Sequence, residues 1–164
     1  MKIDQLLAEK PDTDVEIIRP DATLRQAAQK LAKFNIGALV VSDDTRDLKG
    51  IISERDLVQV VASTDPAAAE QPVSSVMTRD VITCTPNDEI AYILRLMNAN
   101  AIRHMPVLYH GKLANMVSIR ELTTAYELLQ IEANTYPLTE LSNRRPFLRT
   151  LATEFDRALR FGHA

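Results

Sequence analysis

The residues best placed to do chemistry are Ser53 and Asp56, which follow the apolar run Gly50-Ile51-Ile52. A glycine followed by two β-branched residues is typical of a short buried strand, and Ser53 then stands at the N-cap of a helix. The free backbone N–H groups at such a helix mouth can hold a phosphate, and the carboxylate can accept hydrogen bonds from ribose hydroxyls. Ser-x-x-Asp is also close to a capping box, which needs no ligand, so the stretch alone leaves both interpretations open.

An internal duplication sets the organisation of the chain. In the second half, Ser118 and Glu121 take the places of Ser53 and Asp56. Two copies are too few for a solenoid, so the pattern predicts a pseudo-symmetric pair whose two sheets pack together. Three stretches recur in the same order: residues 15–20 as 81–86, residues 35–41 as 101–107, and residues 50–56 as 115–121.

Hydrophobic periodicity predicts the elements that position these motifs. In the first copy we expect strands at 15–18, at 37–41 and from Gly50, and helices at 21–34 and 54–61. In the second copy we expect strands at 81–85, 104–108 and 112–117, and helices at 87–98 and from Ser118. A further short helix is expected at residues 2–9, and turns at 11–14 and 43–47.

Each copy resembles a cystathionine-β-synthase (CBS) domain, and the two together resemble a CBS pair, or Bateman module. The resemblance covers roughly residues 1–130 and rests on residues 35–41, 50–56, 76–78, 102–107 and 118–121. It implies an α+β fold with two pseudo-symmetric β-α-β-β-α repeats packed sheet to sheet and a C-terminal helical tail. The implied divisions are a first repeat at 1–66, a linker at 67–75, a second repeat at 76–132 and a tail at 133–164.

The resemblance also implies a function. Such modules bind an adenosine-containing ligand (AMP, ADP, ATP, NADH or S-adenosylmethionine), regulate an attached or associated protein, and commonly form homodimers. No cofactor is required, and the adenine nucleotide is expected as a regulatory ligand. Two alternatives stay open: a structural dimerisation module that binds nothing, and the sensory portion of a larger or truncated diguanylate cyclase.

Carried over residue by residue, the resemblance implies two unequal sites. The first is expected to contain Ser53, Asp56, Arg103, His104 and Arg120, with Ile17 and Ile18 beside the base. The second is expected to contain Ser118 and Glu121, with Gly37, Ala38 and Arg55 opposite. The second should bind more weakly, since it has fewer cations and the extra methylene of glutamate displaces the carboxylate.

The tail carries a second resemblance. Residues 138–145, Leu-Thr-Glu-Leu-Ser-Asn-Arg-Arg, resemble the opening motif of a diguanylate cyclase (GGDEF) domain, with Glu140 in place of a glycine. The same residues are also consistent with a C-terminal helix capped by Asn143. Because only this opening matches, no cyclase activity is expected.

Composition excludes several classes of function. A net charge of −3 and a pI of about 5.6 do not suggest a nucleic-acid or membrane surface, and no apolar run is long enough to cross a bilayer. Cys84 is the single cysteine, and His104, His110 and His163 are too scattered to suggest a zinc site. We therefore expect a cytoplasmic protein that is not an enzyme, without catalytic residues, a metal, or nucleic-acid or membrane partners.

Overall fold

The computed structural model describes residues 1–8, 15–44, 47–62 and 67–134. The turn expected at 11–14 and nearly all of the tail at 133–164 lie outside these residues. Residues 1–122 form one compact unit, and the residues from Thr123 onward belong to a second.

The described elements follow the predicted order, apart from the strand expected at 81–85, and confirm the α+β class. Five helices and five strands lie within the described residues: α1 (Ile3–Ala8), β1 (Ile17–Ile18), α2 (Leu24–Phe34), β2 (Ala38–Val41), β3 (Gly50–Ser53), α3 (Glu54–Ala62), α4 (Ile90–Ala99), β4 (His104–Tyr109), β5 (Lys112–Ser118) and α5 (Ile119–Asn134). Two short 3-10 turns, Ala68–Glu70 and Val73–Ser75, lie between α3 and α4.

The first sheet has the order β1-β2-β3, with β1 parallel and β3 antiparallel to β2. All four residues of β2 are buried. On one face of the strand, Leu39 and Val41 share a core cluster with the apolar stripe of α2, which consists of Leu24, Ala27 and Leu31. Thr23 begins α2 with a complete capping box: its side chain accepts from the Gln26 N–H, and Gln26 accepts from the Thr23 N–H.

The second sheet is the antiparallel pair β4-β5, which has a bulge between Val107 and Leu108. Its strands are joined by His110 and Gly111, whose φ angles are 50° and 76°. Positive φ at both central residues is what a tight hairpin turn of the primed type requires.

The strand predicted at 81–85 is wrong. The described chain forms only one isolated parallel bridge there, in which Cys84 N–H donates to the Pro106 carbonyl at 3.1 Å and Leu108 N–H donates to the Cys84 carbonyl at 2.8 Å. The next residue, Thr85, does not extend this bridge, because it donates both its backbone N–H and its hydroxyl to the Asp88 carboxylate, at 2.6 and 2.9 Å. The turn that leads into α4 thus competes successfully with the sheet.

The segment that precedes each repeat in the chain packs against the other repeat. At the N-terminus, Ile3 N–H donates to the carbonyl of Asp88 in the second repeat, at 3.0 Å. In the stretch predicted as a linker, Val73 N–H donates to the carbonyl of Ala22 in the first repeat, at 2.8 Å. Ile3 and Val73 are both fully buried. Each repeat is therefore completed by a segment that precedes the other in the chain.

Candidate functional site

The first candidate site begins where β3 passes directly into α3. Ser53 donates its backbone N–H and its hydroxyl to Asp56 Oδ2, both at 2.7 Å. Asp56 is half-buried, and no described residue donates a hydrogen bond to its Oδ1. The capping contact predicted as the ligand-free alternative is therefore present, yet it uses only one of the two carboxylate oxygens.

The equivalent mouth in the second repeat has the same geometry. Ser118 donates its N–H and its hydroxyl to Glu121 Oε2, again both at 2.7 Å, and Glu121 N–H donates to the Ser118 hydroxyl at 3.3 Å. The longer side chain folds back to reach the same two donors. The extra methylene therefore does not hold the carboxylate away from the helix mouth, contrary to the sequence-based argument for a weaker second site.

A first cavity of about 410 Å³ opens at the mouth of α3. This volume lies within the range that small-ligand pockets occupy, about 300–1,000 Å³. One wall is apolar and contains Ile51, Val81, Ile82 and Ile102. Polar lining groups come from both repeats and include Ser53, Asp56, Arg103 and His104.

A second cavity of about 780 Å³ opens at the mouth of α5. It is lined by Ser118, Arg120 and Glu121 from the second repeat, together with residues of the first. Val15 and Phe34 contribute apolar surface to it. These two cavities, both formed by described residues, are therefore related by the same pseudo-symmetry as the repeats.

The structure divides the seven predicted residues of the first site. Four of them, Ser53, Asp56, Arg103 and His104, line the first cavity together. Arg120 lines the second cavity instead. Ile17 and Ile18 line neither cavity: they form β1, and Ile18 is only 7% exposed within the core of the first repeat.

For the predicted second site, the structure places Ser118, Glu121, Gly37 and Ala38 on one cavity. Arg55 is the exception, since it lines the first cavity and its Nη1 donates to the Ala101 carbonyl at 3.1 Å.

Val81 and Ile82 were missed as the apolar wall beside Asp56. The sequence did contain a signal for them, because residues 81–86 repeat residues 15–20. The prediction placed the first copy of this segment, and not the second, at the α3 mouth. In the structure, residues 15–16 line the cavity at the α5 mouth, whereas residues 81–82 line the cavity at the α3 mouth. The mouth of α3 in the first repeat therefore faces residues 81–82 of the second repeat, and the mouth of α5 in the second repeat faces residues 15–16 of the first.

The two cavities share a wall made of Gly37, Ala38, Arg103 and His104. The duplication makes Gly37 equivalent to Arg103 and Ala38 equivalent to His104. Arg103 and His104 thus lie where the two cavities meet, and their counterparts bring no polar side-chain atoms.

His104 packs closely against the first repeat. A Cβ atom placed on Gly37 would lie 2.7 Å from His104 Cε1, so the imidazole fills the space that a side chain at 37 would need. Burial lowers the pKa of His104 below its ordinary 6.5, and nearby Arg103 acts in the same direction. Glu54 and Glu121 act in the opposite direction without reversing the effect.

The described residues contain no group of three or more His, Cys, Asp and Glu side chains that could hold a metal ion. Cys84 is buried, and burial, assisted by Asp88, raises the pKa of its thiol to about 12, so the group stays protonated at neutral pH. Among the described helices, none is long and apolar enough to cross a membrane.

Comparison with known proteins identifies the repeats. The family model described as "CBS domain" matches residues 7–63 and 73–128. An Acidianus ambivalens protein of 17.7 kDa is 38% identical over 114 residues, which are 69% of this chain and 68% of that protein. A relative from Arabidopsis thaliana is longer: it is 33% identical over 109 residues, which are 64% of this chain and 53% of that protein.

Two CBS-domain proteins are among the solved structures that share the fold. A CBS-domain protein of Agrobacterium tumefaciens has a TM-score of 0.73 and 36% identity, and the match covers 77% of this chain and 99% of that one. A CBS-domain protein of Pyrobaculum aerophilum, solved in complex with AMP, has a TM-score of 0.68 and 25% identity, covering 81% of this chain and 98% of that one.

Proposed function

Because the chain belongs to the CBS-domain family, we propose that it is a regulatory module that binds an adenosine-containing ligand between its two repeats. The single observation that carries this proposal is the hydrogen bonding of the two carboxylate oxygens of Asp56. Ser53 holds one of its oxygens at 2.7 Å, so the carboxylate is fixed in direction, and the other oxygen is left without a donor among the described residues. A carboxylate oxygen has two lone pairs and can accept hydrogen bonds from the vicinal hydroxyls of a ribose.

The remainder of the first cavity suits the rest of such a ligand. The apolar side chains of Ile51, Val81 and Ile82 offer a surface on which a flat aromatic base can be buried. Arg103 on the shared wall offers a cation to a phosphate or another anionic group. The AMP complex of the Pyrobaculum protein supports this class of ligand.

A panel of ligands tests the proposal. Thermal unfolding of the protein is measured alone and with adenosine, AMP, ATP, NADH and S-adenosylmethionine at millimolar concentration. A ligand that binds the native state must raise the midpoint, because it removes native protein from the unfolding equilibrium. The expected result is an increase with at least one adenosine compound and none with guanosine at the same concentration. No increase with any compound would reject the proposal and favour a purely structural module.

We also propose that the chain forms a homodimer through α3. Val58 and Val61 lie on this helix and are 66% and 83% exposed, although both are large aliphatic residues. Apolar surface of this kind, where it is contiguous, marks interaction sites. The dimer supplements the ligand-binding role and would also serve the alternative of a module that only dimerises.

The regulated partner stays a prediction. The stretch that resembles a cyclase opening, residues 138–145, lies outside the described residues. The cytoplasmic location, the absence of enzymatic activity and the absence of nucleic-acid or membrane partners likewise stay predictions.

A further inference from the structure

The two equivalent positions in the wall shared by the two cavities differ in charge: one is Arg103 and the other is Gly37. The duplication gives each cavity its own helix mouth, Ser53 with Asp56 in the first and Ser118 with Glu121 in the second, but it does not duplicate Arg103. The equivalent position is Gly37, which has no side chain to offer. Arg103 is exposed, lines both cavities, and makes no side-chain hydrogen bond or ion pair with any residue that the structure describes.

A second cation could not simply be added at the equivalent position. The imidazole of His104 already occupies that space, since a Cβ on Gly37 would lie 2.7 Å from Cε1 and 3.0 Å from Nε2. These separations are shorter than ordinary carbon–carbon contacts of about 3.5–4.0 Å. The shared wall therefore accommodates one set of cationic groups and not two.

Neither cavity has surplus positive charge without Arg103. In the first, Glu54, Asp56 and Asp80 outnumber the other lining arginine, Arg55, whose guanidinium is already tied to the Ala101 carbonyl.

In the second cavity, the formal charge of Arg120 is balanced by that of Glu121, and Glu16 pairs at 2.9 Å with Lys30, which is not a lining residue. A phosphate in either cavity consequently depends on Arg103 to offset its lost hydration.

We infer that Arg103 is a single phosphate-binding group shared by the two cavities, so that phosphorylated adenosine ligands occupy them one at a time, whereas uncharged adenosine can occupy both. This inference rests on the proposed function and specifies how the two cavities interact. Its basis is geometric: one guanidinium can engage one phosphate closely with its fork of N–H donors, and the second phosphate would also meet the negative charge of the first.

Calorimetric titrations of the whole chain with AMP and with adenosine test the inference. Wild type should bind one AMP but two adenosines per chain. Arg103→Ala should weaken the first AMP about tenfold to a hundredfold more than it weakens adenosine, which is the range for losing hydrogen bonds to a charged group. Arg95→Ala is the matched control, because Arg95 is exposed on α4 and lines neither cavity.

The outcomes separate the two proposals. If neither AMP nor adenosine binds, the proposed function and this inference both fail. If wild type binds two AMP molecules independently, takes only one adenosine, or is indifferent to Arg103→Ala, the shared group is wrong while ligand binding stands. If Arg103→Ala reduced the affinities for AMP and for adenosine equally, Arg103 would have a structural role in the wall and would not bind phosphate. That result would also overturn the inference.

Discussion

At the scale of single residues, Asp56 has two separable roles. One oxygen receives the Ser53 donors, which stabilises the start of α3, and the other is available to a ligand. Asp56→Asn keeps the size of the side chain and one acceptor oxygen but removes the charge. We expect it to weaken adenosine binding in the first cavity by about 1.5–3 kcal/mol, the value of a hydrogen bond to a charged group.

The measurement for Asp56→Asn is calorimetry well below the unfolding midpoint, because weakening of the cap can itself cost about 0.5–2 kcal/mol of stability. Asp21→Asn is the matched control: Asp21 pairs with Arg19 at 2.9 Å on the surface and lines neither cavity. Unchanged adenosine affinity in Asp56→Asn would remove Asp56 from the site.

His104 gives the fold a predictable dependence on pH. Its pKa is below 6.5 in the folded protein, chiefly because of burial, so between the folded value and 6.5 the unfolded chain binds more protons. The free energy of unfolding must then fall as the pH falls through 6.5. His104→Gln should flatten this decline.

Urea denaturation of wild type and His104→Gln between about pH 8 and pH 5 measures the difference. His110→Gln, in the exposed turn between β4 and β5, is the control and should retain the decline. Parallel curves for wild type and His104→Gln would contradict the assignment.

At the scale of elements, the exchanged leading segments make each repeat depend on a distant part of the chain. Ile3 completes the second repeat and Val73 the first, and both side chains are fully buried. Truncation to alanine should cost about 2–5 kcal/mol at Ile3 and somewhat less at Val73, whose side chain is smaller.

The region that loses protection shows which repeat each leading segment stabilises. In native-state hydrogen exchange, Ile3→Ala should reduce protection first in α4, and Val73→Ala first in α2. Loss of protection in α2 for Ile3→Ala would mean that the N-terminal helix supports the repeat it precedes.

The same exchange explains which parts of the site the sequence could predict. Local patterns were sufficient for the Ser53 and Ser118 caps and the strand β2, because each depends on neighbours in the chain. The position of Arg120 in the second cavity, the position of Val81 in the first, and the absence of Ile17 from both linings depend on which repeat covers which helix mouth. That arrangement is set by long-range packing, and a repeated motif is compatible with either pairing.

At the scale of the whole molecule, α3 is the surface that we expect to pair. Val61→Glu places a charge on the most exposed of its large apolar residues and should convert the dimer to a monomer without unfolding it. Light scattering of wild type at tens of micromolar should give twice the 18.3 kDa of one chain. A wild-type mass of a single chain would contradict the dimer, and an unchanged dimer in Val61→Glu would place the interface elsewhere.

Binding of an adenosine moiety at the mouth of α3 can be observed by titrating isotopically labelled protein with adenosine and following the backbone amides by NMR. We expect progressive, saturating shifts of Ser53, Asp56, Val81 and Ile82, which line the first cavity from opposite repeats. No comparable shift is expected at Lys33 or Arg95, which are exposed on α2 and α4 and line neither cavity. A spectrum that adenosine leaves unchanged at millimolar concentration, or saturating shifts that spare Ser53 and Ile82, would contradict binding at this mouth.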